Sequence, residues 1–160
     1  MGTERGDDRL YCAGRNLQVR VVRQTDNPLP EYETADSAGL DLRAHLEEPL
    51  RLAPGARALV PTGLRLEIPR GYEGQVRPRS GLALKRGLTV LNAPGTVDAD
   101  YRGDVGVILV NLSAEMQCIE PGDRIAQIVF APVTQVQLSE VEELTASTRD
   151  AGGFGSTGIK

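Results

Sequence analysis

The sequence predicts an all-β domain of the sandwich or barrel kind, on three observations. Short runs alternate apolar and polar residues, Pro-Gly, Gly-Asp and Arg-Gly pairs separate them, and the composition is rich in turn formers. Among 160 residues there are 18 glycines and 10 prolines, with 4% aromatics and no tryptophan. Such a chain builds an aliphatic core under many turns, not a set of long helices. Its length suits one domain and is too short for two ordinary ones.

Residues 1 to 16 are polar and aperiodic, so a mobile N-terminal extension is expected there. A core domain follows over 17–144. From Leu17 the run LQVRVVR alternates apolar and charged residues, and in ADSAGLDLRA the side chain of Asp41 faces away from Leu40 and Leu42. Further strands are expected at ARALVPTGL, LRLEIP, YEGQVRP, LTVLN, DVGVILVNLS, RIAQIVFAP and TQVQLSEVE. DVGVILV is apolar almost throughout and should be covered on both faces. Ser80 to Arg86, SGLALKR, has the composition of one or two helical turns with Ser80 as a candidate N-cap, and SEVEEL suits another short turn. The last sixteen residues, TASTRDAGGFGSTGIK (145–160), read as a flexible Gly-rich arm.

A net charge of -4 and a pI near 5.1 argue against a whole-surface grip on nucleic acid or an anionic membrane. Any anionic ligand must meet a local basic cluster. Without a long apolar run or a leader-like N-terminus, a soluble cytoplasmic protein is expected. Cys12 and Cys118 lack metal-type spacing, and the single histidine, His45, completes no zinc set; both cysteines read as reduced thiols.

Four segments carry candidate chemistry. RPRSGLALKRG (77–87) gathers Arg77, Arg79, Lys85 and Arg86 beside Ser80 and Gly81, which suits a polyphosphate or simply a solvated basic turn. LNAPGTVDADYRGDV (91–105) sets Asp98, Asp100, Tyr101 and Asp104 in a turn, where a carboxylate either orients a water or satisfies turn amides. Gln127 is an amide inside an apolar strand, so it bonds to backbone or reaches a polar cavity. GGFGSTG can wrap a phosphate through its amides or remain a disordered tail.

In this order, ADSAGLDLRA, RPRSGLALKRGL, NAPGTVDADYRGDV, GDRIAQIVF and RDAGGFGSTG resemble the five motifs of the trimeric dUTPase family, over about Leu17 to Gly158. The resemblance implies a distorted jelly-roll-like β-barrel and Mg2+-dependent hydrolysis of dUTP to dUMP and pyrophosphate. That reaction limits uracil incorporation into DNA and supplies dUMP for thymidylate synthesis. Homotrimers with shared active sites are implied as well, with neither nucleic acid nor membrane as partner.

Residue by residue, Asp98 matches the aspartate that orients the attacking water, and Tyr101 the ring under the deoxyribose that excludes a 2'-hydroxyl. Backbone groups of the hairpin opened by Asn92, including Thr96 and Val97, correspond to the uracil slot. Arg79, Ser80 and Gly81 correspond to phosphate ligands, Gln127 to a glutamine reaching the phosphate chain, and Asp41 to an aspartate supporting the metal through water. Arg149 matches the γ-phosphate arginine and Phe154 the ring over uracil, with Gly155, Ser156 and Thr157 closing on the phosphates. Two departures stand out: Ser37-Ala38-Gly39 stands where the first motif usually has Asp-Ala-Gly, and Asp150 occupies a place where glycine normally follows the arginine. The related dCTP deaminases use a glutamate in the third motif, where this chain reads DYRGD.

Overall fold

The computed structural model describes residues 17–152. Its elements are β1 (Arg20–Arg23), β2 (Leu40–Arg43), β3 (Leu50–Leu52), β4 (Arg57–Glu67), β5 (Tyr72–Arg77), α1 (Ser80–Arg86), β6 (Leu88–Val90), β7 (Gly95–Val97), β8 (Asp104–Asn111), β9 (Gln117–Ile119) and β10 (Arg124–Pro132). They form one four-stranded sheet ordered β1-β4-β8-β6, a second ordered β2-β10-β5-β7, and a β3-β9 pair. The described pairings are antiparallel and the sheets do not close, which makes the fold a distorted, open jelly roll.

Inward-facing residues of both large sheets make the core, among them Leu42, Val60, Val76, Leu88, Val107, Leu109, Ile125 and Ile128. Their aliphatic character follows from the scarcity of aromatic residues, and their alternation with exposed neighbours follows from the two-residue period of a strand. β8 buries Val105, Val107 and Leu109 on one face, and its other face is partly covered, with Leu59 lying over Gly106.

The two expected runs ARALVPTGL and LRLEIP form the single strand β4. Its register against β8 shifts between Pro61 and Arg65, and Gly63 there has φ +68°, a conformation glycine adopts without a Cβ penalty. The bulge leaves polar groups that Thr62 satisfies: its Oγ1 donates to the Val105 carbonyl at 2.7 Å, and its amide donates to Asp104 Oδ1 at 3.1 Å. Beyond the bulge, residues 64–67 of β4 pair with β1, and bulges of this kind increase the local bend and twist of a strand.

Asn111 is fully buried. Its Nδ2 donates to the carbonyls of Leu52 and Glu115 at 2.9 and 2.8 Å, while its Oδ1 accepts from the Ser113 amide and hydroxyl. One amide thus ties the β3-β9 pair to the end of β8, and every polar atom it brings into the interior is matched.

Three expectations are corrected. The strand expected at 134–142 is absent: those residues have no strand pairing and are exposed, including Val136 at 73% and Leu138 at 91%. SEVEEL forms only a bend. Ser80 is the first helical residue and not the N-cap, a position held by Arg79 in extended conformation. The proposed N-terminal extension, 1–16, and the arm residues Phe154, Gly155, Ser156 and Thr157 lie outside the described residues.

Candidate active site

The sheet β2-β10-β5-β7 positions most of the candidate residues. Cross-strand pairing sets Gln127 of β10 between Asp41 of β2 and Arg77 of β5. Two residues beyond Arg77, the chain enters α1 through Arg79. Asp41, Gln127, Arg79, Ser80 and Gly81 are therefore gathered at one end of this sheet.

Arg79 is held by its own fold. Its Nε donates to Asp41 Oδ1 at 2.8 Å and its Nη1 to the Arg124 carbonyl at 3.3 Å. The second Asp41 oxygen accepts from Arg124 Nη1 at 3.1 Å, and the same Nη1 donates to Glu33 Oε1 at 2.7 Å. Asp41 retains only 16% side-chain exposure, so two guanidinium partners compensate its burial. Nη2 of Arg79 has no partner among the described residues, and neither do the backbone amides of Ser80 and Gly81. These groups form an unspent donor cluster of the sort an anion takes up.

Gln127 donates from Nε2 to the Pro78 carbonyl at 2.9 Å. Its side chain crosses Gly39 so closely that a Cβ there would lie 2.4 Å from Oε1. The amide thus bonds to backbone, one of the two outcomes its sequence context allowed, and it fixes the segment leading into Arg79. At the far end of α1, Gly87 closes the helix at φ 63°, and Arg86 binds the side chain of Gln117 and the Cys118 carbonyl.

The second group of candidates lies on the hairpin around β7. Asn92 opens it, with its amide nitrogen set against Gly95, and Thr96 and Val97 form its return strand. Asp98 follows, exposed, and its carbonyl accepts the Tyr101 amide at 3.1 Å. The Tyr101 hydroxyl donates to the Asp104 carbonyl at 3.0 Å, and its ring packs over Gly103. Asp98 and Thr96 border a cleft of about 1170 Å³ that is also lined by Tyr72, Glu73 and Val133 but by none of Asp41, Arg79, Ser80 or Gln127.

Register explains the separation. Val97 pairs with Gly74, so Asp98 stands level with Glu73, four residues from Arg77; at about 3.3 Å per residue that is roughly 13 Å along the sheet. Within one chain the water-orienting candidate and the phosphate candidates occupy opposite ends. Arg149 lies in a turn over 147–152, where its Nε donates to the Gly152 carbonyl at 2.8 Å.

Arg124 and Glu33 are partners of the site that the sequence reading did not single out. Strict alternation puts residues 124 and 127 on opposite faces of a strand, which hides Arg124 from the Gln127 face. The register shift between Arg124 and Ala126 removes that opposition.

For metal, no group of three or more His, Cys, Asp or Glu side chains able to hold an ion occurs among the described residues. A Mg2+ bound mostly by phosphate oxygens and water needs no such cage. Both oxygens of Asp41 already accept from arginines, so the donor set fits only an ion of that kind, held without a direct carboxylate ligand. No helix among the described residues is long and apolar enough to cross a membrane.

Comparison with known proteins identifies the family. The dUTPase family model matches residues 25–158. The deoxyuridine 5'-triphosphate nucleotidohydrolase of Aquifex aeolicus is 64% identical over 141 residues, covering 88% of this chain and 94% of that protein. That of Rhizobium meliloti is 62% identical over 144 residues, covering 89% and 90%. In structure, the dUTPase of Staphylococcus bacteriophage 80alpha with dUPNHPP matches at a TM-score of 0.77 and 27% identity, covering 89% of this chain and 99% of that one. A phage phi11 dUTPase variant, described for its coordination of a structural Mg(II) ion, matches at 0.71 and 26%, covering 81% and 99%. Fold and site together define an all-β nucleotidohydrolase of the distorted jelly-roll class. Within that class the chain belongs to the dUTPase family, and its activity is dUTP hydrolysis.

Proposed function

We propose that the chain hydrolyses dUTP to dUMP and pyrophosphate through a water held by Asp98, in active sites shared between the subunits of a homotrimer. The observation that carries this reading is the split of the candidate residues: Asp98 and Tyr101 at one end of the β2-β10-β5-β7 sheet, Arg79, Ser80 and Gln127 at the other. A triphosphate is too short to bridge roughly 13 Å of sheet and the helix start beyond it. Two ends from neighbouring chains, brought together by rotational symmetry, supply both halves.

In that arrangement the exposed Asp98 carboxylate accepts a proton from the attacking water and orients it toward the α-phosphorus. Nη2 of Arg79, the Ser80 hydroxyl and the unpaired first-turn amides of α1 stabilise charge on the phosphate oxygens. Mg2+, when bound, neutralises those oxygens and so lowers the repulsion met by the nucleophile. Asp41 is the residue that would support it through water, with phosphate oxygens and waters as its other ligands when bound. Asn92, Thr96 and Val97 form the uracil slot, and the Tyr101 ring lies where a 2'-hydroxyl would collide. Arg149, Phe154, Gly155, Ser156 and Thr157 close over the substrate and exclude bulk water.

The cellular consequence is a small dUTP pool, hence little uracil entering DNA, and a supply of dUMP for thymidylate synthesis in the cytoplasm. Pyrophosphate release measured with dUTP, dTTP, dCTP and UTP, each with and without Mg2+, tests the reading. Release from dUTP alone, dependent on Mg2+, is the expected result. Equal release from dTTP or UTP would overturn the assigned uracil slot or sugar check, and full activity without a divalent ion would overturn the metal role.

A further inference from the structure

We propose that Glu33 is a positioning residue for the hydrolysis, acting through Arg124 and Asp41 on the guanidinium of Arg79. The proposal rests on the reading that Arg79 meets the phosphates. Four side chains form a line of alternating charge: Glu33, Arg124, Asp41, Arg79. One nitrogen, Nη1 of Arg124, is shared between Glu33 Oε1 at 2.7 Å and Asp41 Oδ2 at 3.1 Å. Asp41 Oδ1 is thereby left to Arg79 Nε at 2.8 Å.

Carboxylate and guanidinium prefer a two-pronged pairing in which both oxygens are taken. If Arg124 took both oxygens of Asp41, Arg79 would lose its anchor and the direction of its free Nη2. Glu33 prevents that by drawing Arg124 to one side, so that Asp41 serves two arginines with one oxygen each. Glu33 reaches this place from the strand-free segment between β1 and β2, whose one ion pair to the line among the described residues is Glu33 to Arg124.

Stability does not explain the pair. Glu33 is 64% exposed and Arg124 39%, and an ion pair so open to solvent adds little to stability. Local charge does not explain it either. Removing a carboxylate near a polyphosphate site favours an anionic substrate, so charge alone predicts a lower KM and an unchanged kcat. Positioning predicts a lower kcat.

The test is a double-mutant cycle on Glu33→Gln and Arg79→Ala, with Arg79→Lys as a milder second variant should Arg79→Ala unfold. For each purified full-length protein, kcat and KM for dUTP and the Tm are measured. Glu33→Gln should lower kcat about threefold to tenfold, the usual reach of a residue acting through a contact network, with Tm unchanged. In the Arg79→Ala background it should cost nothing more, because the two changes disable one unit. An unchanged kcat in Glu33→Gln alongside an impaired Arg79→Ala overturns the proposal and leaves the phosphate reading intact. Equal losses in both backgrounds, or a kcat loss that accompanies a large fall in Tm, also overturn it. If neither Arg79 variant alters kcat or KM, the phosphate reading itself fails and this proposal with it.

Discussion

Asp98 and Arg79 stand at opposite ends of one four-stranded sheet, because Val97 pairs with Gly74 while Gln127 pairs with Arg77. A chain defective in one residue should therefore complement a chain defective in the other. Asp98→Asn and Arg79→Ala proteins, each strongly impaired alone, are unfolded and refolded together in equal amounts. In a closed ring with random mixing, about one quarter of all sites join a good aspartate to a good arginine. Verified hybrid trimers that stay inactive would refute the shared site.

Asp98→Asn alone should keep the fold, since the exposed carboxylate makes no side-chain hydrogen bond among the described residues. Turnover should fall by about 10²- to 10⁴-fold, the usual worth of a positioned base, with most substrate affinity kept. Single-turnover kinetics and equilibrium binding of a non-hydrolysable dUTP analogue check both parts. Near-normal turnover would move the role to Asp100 or Asp104.

Tyr101→Ala should admit UTP. The Tyr101 hydroxyl is engaged with the Asp104 carbonyl and the ring is set against Gly103, so the ring's position is determined before any sugar arrives. Its loss should raise the ratio of kcat/KM for UTP over dUTP by more than about 200-fold, beyond the about 1–3 kcal/mol of one apolar contact. A ratio that does not change places sugar selection elsewhere.

Asp150→Gly should tighten substrate binding. Asp150 has φ 43°, a left-handed conformation that costs an L-residue roughly 1 kcal/mol and glycine little. Its carboxylate also adds negative charge beside Arg149. A KM for dUTP lowered severalfold at unchanged kcat is expected, and a raised KM would show that the aspartate helps to form the turn.

The Cys118 thiol donates to Glu120 Oε1 at 3.3 Å, and this bond, with burial and the nearby negative charge, holds its pKa above the ordinary thiol value. Less thiolate is then present at any given mildly alkaline pH, so alkylation should be slow. Glu120→Gln should lower the pKa and speed alkylation of Cys118, followed by peptide mapping to separate it from Cys12. Equal rates in the two proteins would contradict the assigned cause.

How far the sequence was legible depends on what each residue needed from elsewhere. The strands of β8 and β10 could be read because long apolar runs must be covered wherever they lie. β3 and β9, with three residues each, are too short to show a period, and they exist because Leu50 meets Ile119 and Leu52 meets Gln117. The alternation of TQVQLSEVE shows a capacity to pair, but a strand also requires an edge to pair with, and none meets it among the described residues. In the site, Asp41, Arg79 and Gln127 were legible through ordered motifs. Arg124 was not, because a register shift alters which face it serves, and Glu33 was not, because an irregular segment carries it to its partner.

α1 buries none of its residues, and Leu84 at its centre is 88% exposed. Arg79 fastens it at one end, Arg86 and Gly87 at the other. Leu82 packs against the core, but position 84 is spare surface within the chain, and a dye attached there would sit about one helical turn from the proposed phosphate donors without touching the core. Such a probe would record the arrival of nucleotide in real time while the protein keeps every internal contact it had before labelling.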